Sequence, residues 1–580
     1  MSDQTVLQLI SARFAEAISK VAGFESDPIV RAATDARHGD YQSNAAMSLA
    51  GRLSEERGEK VNPRQLAEQI AKAVDLDGIA EKPEIAGPGF LNVKLLPGFI
   101  AERCNAAADS DRLAVPAASE PQTVVVEYSS PNIAKQLHVG HFRATILGDA
   151  VARLEQFLQH NVIRQNHVGD WGTQFGMLIA RLREVGGVKD APIGSLEAFY
   201  KQAKHRFDED DDFKTVARET VVALQRGDEE VVAAWQRFID ETRAHYEPLY
   251  GRLGVLLQRE DERGESFYND QLGGVVDDLL KAGVAEESEG AVVSFAGGHK
   301  APLMIRKSDG GYGYGTTDLA ACKFRSGTLN ADLSVYLVDA RQSQHFQQVF
   351  ATYAEAVDKA GWPGGCAFKH AAFGAVLGED GKPFKTREGK TVQLANLLDE
   401  AEQKARKVVD ENSSHLPEDE KAELARQVGI GAVKYADLSK DRTSDYVFSF
   451  DEMLRLDGNS GPYVQYAHAR TQSVLRKATD AGILGEFSVK QFGHDGEVAL
   501  ARQLLGFGEA VLSAAEDLRP HVLCNYLYET AKQFSSFYDN CSILKSEGDQ
   551  QQTRLALTKL TGRTIATGLD LLGIAAPSRM

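Results

Sequence analysis

The sequence predicts a multidomain α/β protein, in which a doubly wound domain with a parallel sheet lies between an N-terminal α/β domain and a C-terminal all-α helical bundle. The chain has 580 residues, more than one hydrophobic core usually accommodates. From 123 to about 390, strand-like and helix-like segments alternate, which is the pattern of a parallel sheet covered by helices. From 391 to 580 only long helical patterns follow.

The N-terminal domain is predicted to cover 1–110. Apolar residues recur at helical spacing over 7–21, and a second helical pattern covers 63–74. The segment 85–95 is typical of a turn followed by a strand. Alanine, proline and serine dominate 111–122, so we expect a linker there.

The central domain, 123–390, is predicted to contain five strands and one long insertion. We expect the strands at 124–128, 160–168, 301–305, 333–339 and 370–377. The insertion, at about 189–294, shows no obvious site. Its acidic run at 207–213 favours a solvated face over a metal site, because adjacent carboxylates cannot all point at one ion.

The C-terminal region, 391–580, is predicted to be a helical bundle. Its helical patterns cover 394–409, 419–438, 462–478, 497–517, 521–540 and 553–573.

Composition excludes several classes of protein. No apolar run approaches the roughly 20 residues of a membrane span, and the first residues predict an amphipathic helix instead of a signal peptide, so we expect a cytoplasmic protein without a membrane partner. The five cysteines lack C-x-x-C spacing, which argues against a disulfide framework and a thiolate zinc site. The net charge of −18 argues against indiscriminate nucleic-acid binding. The excess of acidic residues lies in the first 420 residues, because the segment from Lys421 onward is nearly balanced, with 18 Lys and Arg against 19 Asp and Glu.

One stretch, VVVEYSSPNIAKQLHVGHFRATIL at 124–147, predicts a buried strand that leads through a polar loop into a helix N-terminus. Such a junction favours anions, and Lys135, His138 and His141 could all reach a phosphate there. Gly140 permits close backbone approach. Two alternatives are a zinc site, which lacks further ligands with suitable spacing, and a purely structural histidine pair.

This stretch resembles the HIGH signature of class I aminoacyl-tRNA synthetases, and the longer string EYSSPNIAKQLHVGHFRATILGD is similar to the arginyl-tRNA synthetase family. The similarity continues over essentially the whole chain, in NHVGDWGTQFGMLI, YGYGTTDLA, VDARQSQHF and the terminal PSRM. The resemblance implies a Rossmann-like catalytic domain, an N-terminal domain that contacts the tRNA elbow and a C-terminal anticodon-binding domain.

The resemblance also implies the reaction. ATP would activate L-arginine as an adenylate, which would pass to the 2′-hydroxyl of the terminal adenosine of tRNA(Arg), with cognate tRNA needed for activation. Negative charge would gather at the α-phosphate, so His138, His141 and Lys135 are the predicted catalytic residues and Gly140 an ATP-binding one. We expect Mg²⁺ only with the nucleotide, no structural metal, and a monomer.

Class I enzymes usually carry a second signature, KMSKS, which this chain lacks. The corresponding segment, 378–398, contains basic residues among turn residues, and Lys385 and Arg387 are the predicted ATP contacts. The family pattern implies that Lys135 takes over part of the missing function. The alternative for this segment is a basic surface turn.

An arginine pocket requires acceptors, because a guanidinium carries five donors and a fixed charge. The resemblance implies Asp318 and Tyr314 for the guanidinium, and it implies four contacts to the amino and carboxylate groups: Glu127, Ser130, Asn132 and Gln342. Without the resemblance, Asp318 is more typical of a helix cap.

Anticodon recognition needs aromatic rings and cations beside each other, because unstacked bases are read by stacking and hydrogen bonds. The predicted contacts are Tyr463, Gln465, Tyr466 and Arg470 in the bundle, with Tyr41 and Asn44 in the N-terminal domain. The alternative is that these aromatic residues belong to the core. Three other functions remain open: another class I synthetase, a nucleotidyltransferase of the same superfamily, and a non-catalytic paralogue.

Overall fold

A computed structural model of the chain describes residues 4–33, 35–133, 135–186, 196–378, 380–382, 384, 392–413 and 416–580. Within the 378–398 segment, residues 379, 383 and 385–391 lie outside the described residues, and the predicted ATP contacts Lys385 and Arg387 are among them.

Thirteen strands and twenty α-helices form in the described residues. The strands are β1 Val30–Ala32, β2 Tyr41–Ser43, β3 Glu84–Ala86, β4 Phe90–Val93, β5 Thr123–Glu127, β6 Asn161–Gln165, β7 Glu286–Ser288, β8 Ala291–Ser294, β9 Leu303–Arg306, β10 Leu333–Tyr336, β11 Ala367–His370, β12 Val376–Leu377 and β13 Tyr446–Val447. The helices are α1 Val6–Ala22, α2 Ala45–Arg57, α3 Pro63–Ala73, α4 Pro97–Asp109, α5 Val139–Phe157, α6 Thr173–Glu184, α7 Leu196–Glu209, α8 Asp211–Gln225, α9 Glu229–Leu253, α10 Asn269–Lys281, α11 Tyr314–Gly327, α12 Ser343–Ala360, α13 Leu394–Asn412, α14 Glu418–Leu438, α15 Phe450–Met453, α16 Gly461–Asp480, α17 Asp495–Leu505, α18 Phe507–Glu516, α19 His521–Asn540 and α20 Gly548–Leu571.

The N-terminal domain combines helices α1 to α4 with a four-stranded antiparallel sheet in the order β1-β2-β4-β3. Helix α1 begins with a capping box, in which the Thr5 side chain accepts from the Gln8 amide and the Gln8 side chain accepts from the Thr5 amide. Its inner face carries Ile10, Phe14 and Ile18, all fully buried. The predicted small α/β unit therefore has apolar residues that form its own interior.

The central sheet has the order β11-β10-β5-β6, and its three pairings are all parallel. Strand β5 lies in the middle of the order, and Val124, Val125 and Val126 are fully buried, as expected for a strand covered on both faces. The predicted fold class is confirmed. The signature stretch thus begins at a central strand of the sheet, where ligands of doubly wound proteins usually bind.

Two strand predictions for this sheet were wrong. The segment predicted at 301–305 forms β9, which belongs to a separate antiparallel sheet with β7 and β8. The last strand of the parallel sheet is 367–370, whereas 376–377 pairs in parallel with β13 of the C-terminal region. Short apolar runs predict strands well, but they carry no information about which partner a strand finds.

The acidic run at 207–213 lies at the junction of α7 and α8. Asp210 caps α8 by accepting from the Phe213 amide at 3.0 Å, and Asp211 and Asp212 occupy the first helical turn. Carboxylates at a helix N-terminus are stabilised by the helix dipole, so the run has a structural explanation.

The C-terminal bundle contains the six predicted helical segments, with one change. The segment predicted as one helix over 497–517 is divided at Gly506 into α17 and α18. In the part of the chain that the structure describes, one helical stretch, Asp495–Glu516, is long and apolar enough to cross a membrane, but half of it is buried within the protein. It packs against α4 and α19 as a core element.

The N-terminal domain packs on this bundle. Asp40 pairs with Arg502 at 2.8 Å, and the Leu7 amide donates to Glu509 at 3.0 Å. One hydrophobic cluster runs through the N-terminal domain, one face of the parallel sheet and the bundle. The position of the bundle is therefore coupled to β5 and α5 through packed side chains.

Candidate active site

The two signature histidines lie at the N-terminus of α5, directly beyond the end of β5. His138 is the N-cap, and its Nδ1 accepts from the Gly140 amide at 3.0 Å. The His138 amide in turn donates to Nδ1 of His141 at 3.2 Å. The two ring centroids are 3.9 Å apart. This capping box is built from imidazoles where serine and glutamate are usual.

Burial and nearby charges set the protonation of both rings, and these hydrogen bonds set which nitrogen carries the proton. Burial, His138 and Lys135 lower the pKa of His141 to about 3, and burial together with Lys135 and Arg341 lowers the pKa of His138. Both imidazoles are therefore neutral near pH 7. Because each Nδ1 accepts a hydrogen bond, the proton of each ring is assigned to Nε2. The histidine pair offers two N–H donors but no net charge, so any positive charge at this site comes from neighbouring groups.

Gly140 and Lys135 complete this corner. A Cβ on residue 140 would lie 2.9 Å from Cε1 of His138, so glycine is required for the ring to reach the backbone. Lys135 is exposed, and its ammonium lies 5.6 Å from the centroid of the Tyr200 ring.

Ser129 and Ser130 adopt the left-handed conformation, with φ of 67° and 45°. Such backbone strain in non-glycine residues requires support. The Ser129 hydroxyl shares a hydrogen bond of 2.6 Å with Tyr250 and accepts from Thr145 at 2.9 Å. The Ser130 amide donates to Asn166 at 3.0 Å. The loop is thus held in one conformation by α5, α9 and the segment after β6.

Glu127 ends strand β5 and forms a buried ion pair with Arg325, whose side chain is fully buried. Arg325 also donates to Gln165 at 2.8 Å and to Ser334 at 3.3 Å. This pair ties three neighbouring strands together at the carboxyl edge of the sheet. A ligand that bound the Glu127 carboxylate would have to compete with Arg325 for it.

Tyr314 and Asp318 lie on the first two turns of α11. Tyr314 is 75% exposed, which is unusual for a tyrosine outside a binding surface. Asp318 Oδ2 lies 2.6 Å from Nε2 of His345 on α12. Asp318 is the fifth residue of α11, so the alternative of a helix cap is wrong.

Glu265, which no sequence pattern indicated, lies close enough to Asp318 and to Asp170 for their charges to act on it. Burial, Asp170 and Asp318 raise the pKa of Glu265 to about 8. Asp170 is itself buried, and its carboxylate accepts from the amide and the hydroxyl of Ser266 at 2.8 and 2.6 Å. The Asp170 carboxylate is therefore held in position, and Glu265 experiences the charge of two other carboxylates.

The insertion thus contributes to the site, contrary to prediction. It supplies Glu265, Ser266 and the Tyr250 that holds Ser129. A cation bound beside such a cluster would favour the ionised form of its carboxyl groups. Glutamates are common in this sequence, and only the tertiary fold distinguishes Glu265 from the others.

Asn132 and Gln342 are exposed, on the loop after β5 and just before α12 respectively. Asn132 forms an isolated β-bridge with Gly169. A Cβ on residue 169 would lie 2.4 Å from Oδ1 of Asn132, so the two residues are in close contact. Both side chains end in an amide that can donate and accept hydrogen bonds.

The 378–398 segment is anchored to the signature loop at its far end. Val139 donates to the Val392 carbonyl at 3.2 Å, and Leu394 donates to the Leu137 carbonyl at 2.9 Å. At its near end the Phe384 amide donates to Val376 at 3.0 Å, and the Phe384 ring stacks on Phe448 at 4.6 Å. The far end of the segment therefore lies next to His138.

In the bundle, three of the predicted RNA contacts share one face of α16 at spacings of three and four residues. Tyr463 lies 5.8 Å from Tyr528, and Tyr466 is 43% exposed. The guanidinium of Arg470 lies 4.0 Å from the Tyr538 ring centroid. The face carries aromatic rings next to one guanidinium group.

The remaining three RNA predictions fall on buried or partly buried positions. Gln465 is fully buried, and its Nε2 donates to the carbonyls of Gln427 and Ala575, so it holds α16 against the C-terminal segment and does not reach the surface. Tyr41 is 8% exposed and lies at the interface with Glu509. Asn44 precedes α2, and its Oδ1 is buried without a hydrogen bond among the described residues.

No three histidine, cysteine, aspartate or glutamate side chains are grouped to hold a metal ion in the described ranges.

Comparison with known families divides the chain into three matches. Residues 104–450 match the family of class I (R) tRNA synthetase catalytic domains, residues 464–580 match the DALR anticodon binding domain, and residues 8–95 match the arginyl-tRNA synthetase N-terminal domain.

Among curated relatives, the arginine–tRNA ligase of Laribacter hongkongensis is 47% identical over 579 residues, covering 98% of this chain and 99% of the relative. That of Escherichia fergusonii is 48% identical over 583 residues, covering 99% of each chain. Among solved structures, arginyl-tRNA synthetase from Plasmodium falciparum has a TM-score of 0.86 at 28% identity, covering 100% of both chains. The Thermus thermophilus arginyl-tRNA synthetase has a TM-score of 0.81 at 27% identity, covering 99% of this chain and 100% of that one. The chain therefore belongs to the class I arginyl-tRNA synthetase family of arginine–tRNA ligases.

Proposed function

We propose that the protein activates L-arginine with ATP and transfers the arginyl group to the 2′-hydroxyl of the terminal adenosine of tRNA(Arg), and that activation requires the tRNA to be bound. The observation that carries this proposal is that the carboxylate cluster adjoins the signature loop, because Asp170 directly follows Gly169, which is bridged to Asn132. A cationic amino acid and a nucleotide phosphate would meet between the cluster and the signature histidines.

His138, His141 and Lys135 act on the ATP phosphates. The two neutral imidazoles donate from Nε2, and Lys135 supplies positive charge to the pentavalent transition state at the α-phosphate. Charge that develops there is stabilised by donors already in position. Gly140 brings the backbone close, and Lys385 and Arg387 are the proposed contacts from the 378–398 segment.

Asp318 and Glu265 receive the guanidinium, with Tyr314 beside them. Paired carboxylates suit its planar set of donors, and the charge of the ligand relieves the repulsion between them. Ser130, Asn132 and Gln342 bind the amino and carboxylate groups of arginine. Glu127 contributes through Arg325, because that pair fixes the edge of the sheet where the ligand lies.

The tRNA contacts both ends of the protein. Tyr463, Tyr466 and Arg470 offer stacking surfaces and a cation to unstacked anticodon bases. The N-terminal domain, near Tyr41 and Asn44, faces the elbow. We further propose that Mg²⁺ enters with ATP, that the protein is a monomer, and that it functions in the cytoplasm without a membrane partner.

The test is ATP–pyrophosphate exchange with arginine, measured with and without tRNA(Arg). We expect exchange only when tRNA is present. Full exchange without RNA would refute the tRNA requirement, and failure to charge tRNA(Arg) at all would refute the proposed function. Charging assays with the other amino acids exclude another class I specificity, because the carboxylate pocket selects a cation.

A further inference from the structure

A buried charged cluster outside the substrate pocket joins three parts of the molecule. Arg143 lies on α5 two residues beyond His141, and its side chain is 1% exposed. Its Nε lies 3.3 Å from Oδ1 of Asp437 on α14, which is 0% exposed. Its Nη1 donates to the Ser444 carbonyl at 3.0 Å, and its guanidinium lies 5.2 Å from the Tyr446 ring centroid.

Each member belongs to a different functional element. Helix α5 carries the signature histidines, α14 belongs to the bundle, and Tyr446 begins β13. Strand β13 pairs in parallel with β12, which leads into the 378–398 segment. Asp445 reinforces this pairing by accepting from the Ala375 amide at 2.6 Å.

The contacts within the cluster are close, but their hydrogen-bond geometry is poor. Nε and Nη2 of Arg143, both carboxylate oxygens of Asp437 and the Tyr446 hydroxyl form no aligned hydrogen bond in the described residues. Buried ions without full hydrogen bonding are costly, and apolar residues of similar volume usually stabilise a core better. A cluster of this kind is sensitive to small shifts of α14 relative to α5.

We propose that Arg143, Asp437 and Tyr446 are positioning residues that align the first turn of α5 with the entry to the 378–398 segment, according to the position of the bundle. They act through His141 and β12, and they touch no substrate. Movement of α14 when tRNA occupies the bundle would change the alignment of α5 with β12 and β13.

The proposal rests on the proposed function, since arginine activation is its readout. The variants are Asp437→Asn, Arg143→Lys, and the double replacement Arg143→Met with Asp437→Leu. Asp570→Asn is the matched control, because Asp570 joins the bundle to Arg153 of the same helix but is 79% exposed. Active-site titration corrects every rate for inactive protein.

We expect each single variant to lower kcat for exchange in the presence of tRNA by about tenfold or more, with KM values and tRNA affinity within about threefold. The control should match the wild type. The double variant separates positioning from stability: we expect it to unfold no more easily than the wild type and still to show the reduced kcat.

Hydrogen exchange gives a second readout. Binding of tRNA should alter the exchange of the amides from Val139 to Thr145 in the wild type and leave it unaltered in Asp437→Asn. A stable double variant with wild-type kcat would overturn the proposal. If the double variant does not fold, wild-type kcat in Tyr446→Phe would overturn it. An inactive wild type would refute the proposed function instead, so the two failures are distinguishable.

Discussion

The proposed role of Glu265 in binding the guanidinium leads to a quantitative prediction about pH. Burial, Asp170 and Asp318 raise the pKa of Glu265 to about 8, so the carboxyl is mostly protonated in the empty site at neutral pH. A guanidinium binds the ionised form. Arginine affinity should therefore increase as pH rises toward and through this pKa, and binding should release a proton.

The magnitude follows from the ionised fraction. With a pKa of about 8, roughly 3% of Glu265 is ionised at pH 6.5 and roughly 75% at pH 8.5. If the protonated form does not bind, affinity should rise about 25-fold across this interval, and about 0.9 proton should be released at pH 7. Burial keeps the pKa of His141 near 3, so this histidine does not titrate in the same interval.

Isothermal titration of arginine in buffers of different ionisation enthalpy measures both quantities. Glu265→Gln provides the control, because an amide keeps the shape of the side chain but cannot titrate. We expect its affinity to be weak and nearly independent of pH. A wild-type affinity that is flat between pH 6.5 and 8.5, or an unchanged pH dependence in Glu265→Gln, would refute the assignment.

Three further predictions concern the site. Asp318→Ala should weaken arginine binding by at least about 30-fold, measured calorimetrically, while ATP and tRNA affinities stay within twofold, because of the three ligands only the guanidinium loses its partner; unchanged arginine affinity would exclude this residue from the pocket. His141→Gln should lower kcat for exchange far more than it raises KM, since the Nε2 donor acts on charge that develops in the transition state; a pure KM effect would contradict the role. Tyr250→Phe removes the hydrogen bond that holds Ser129 in its left-handed conformation. The melting temperature, measured by calorimetry, should fall by an amount equivalent to about 1 kcal/mol, and the KM for arginine, measured by steady-state exchange, should rise. No change in either quantity would show that the loop does not depend on this bond.

Local patterns were sufficient for most of the secondary structure. Helical periodicity placed five of the bundle helices to within a few residues, because each helix buries one face along its whole length. The division at Gly506 was not predictable from periodicity, since the apolar pattern continues across it. Strand partners were not predictable either, because 301–305 has the pattern of a strand whichever sheet it joins.

The site shows the same difference between features set by neighbours in sequence and features set by distant segments. The His138, Gly140 and His141 corner is a local structure, in which a helix cap, a glycine and two rings lie within four residues. It was therefore predictable from the sequence. Glu265 comes from an insertion more than 120 residues downstream, and it was not.

The sequence by itself determined the three-part architecture, the strand, loop and helix of the signature, and the residue types able to act on phosphates, because these depend on short-range periodicity and on contacts between near neighbours. The tertiary structure alone decided that Gln465 is internal, that Glu127 pairs with Arg325, and that carboxylates distant in sequence raise the pKa of Glu265. Burial and electrostatic interaction depend on which distant segments pack together. A residue's chemistry in this protein is therefore set by neighbours that no local pattern identifies.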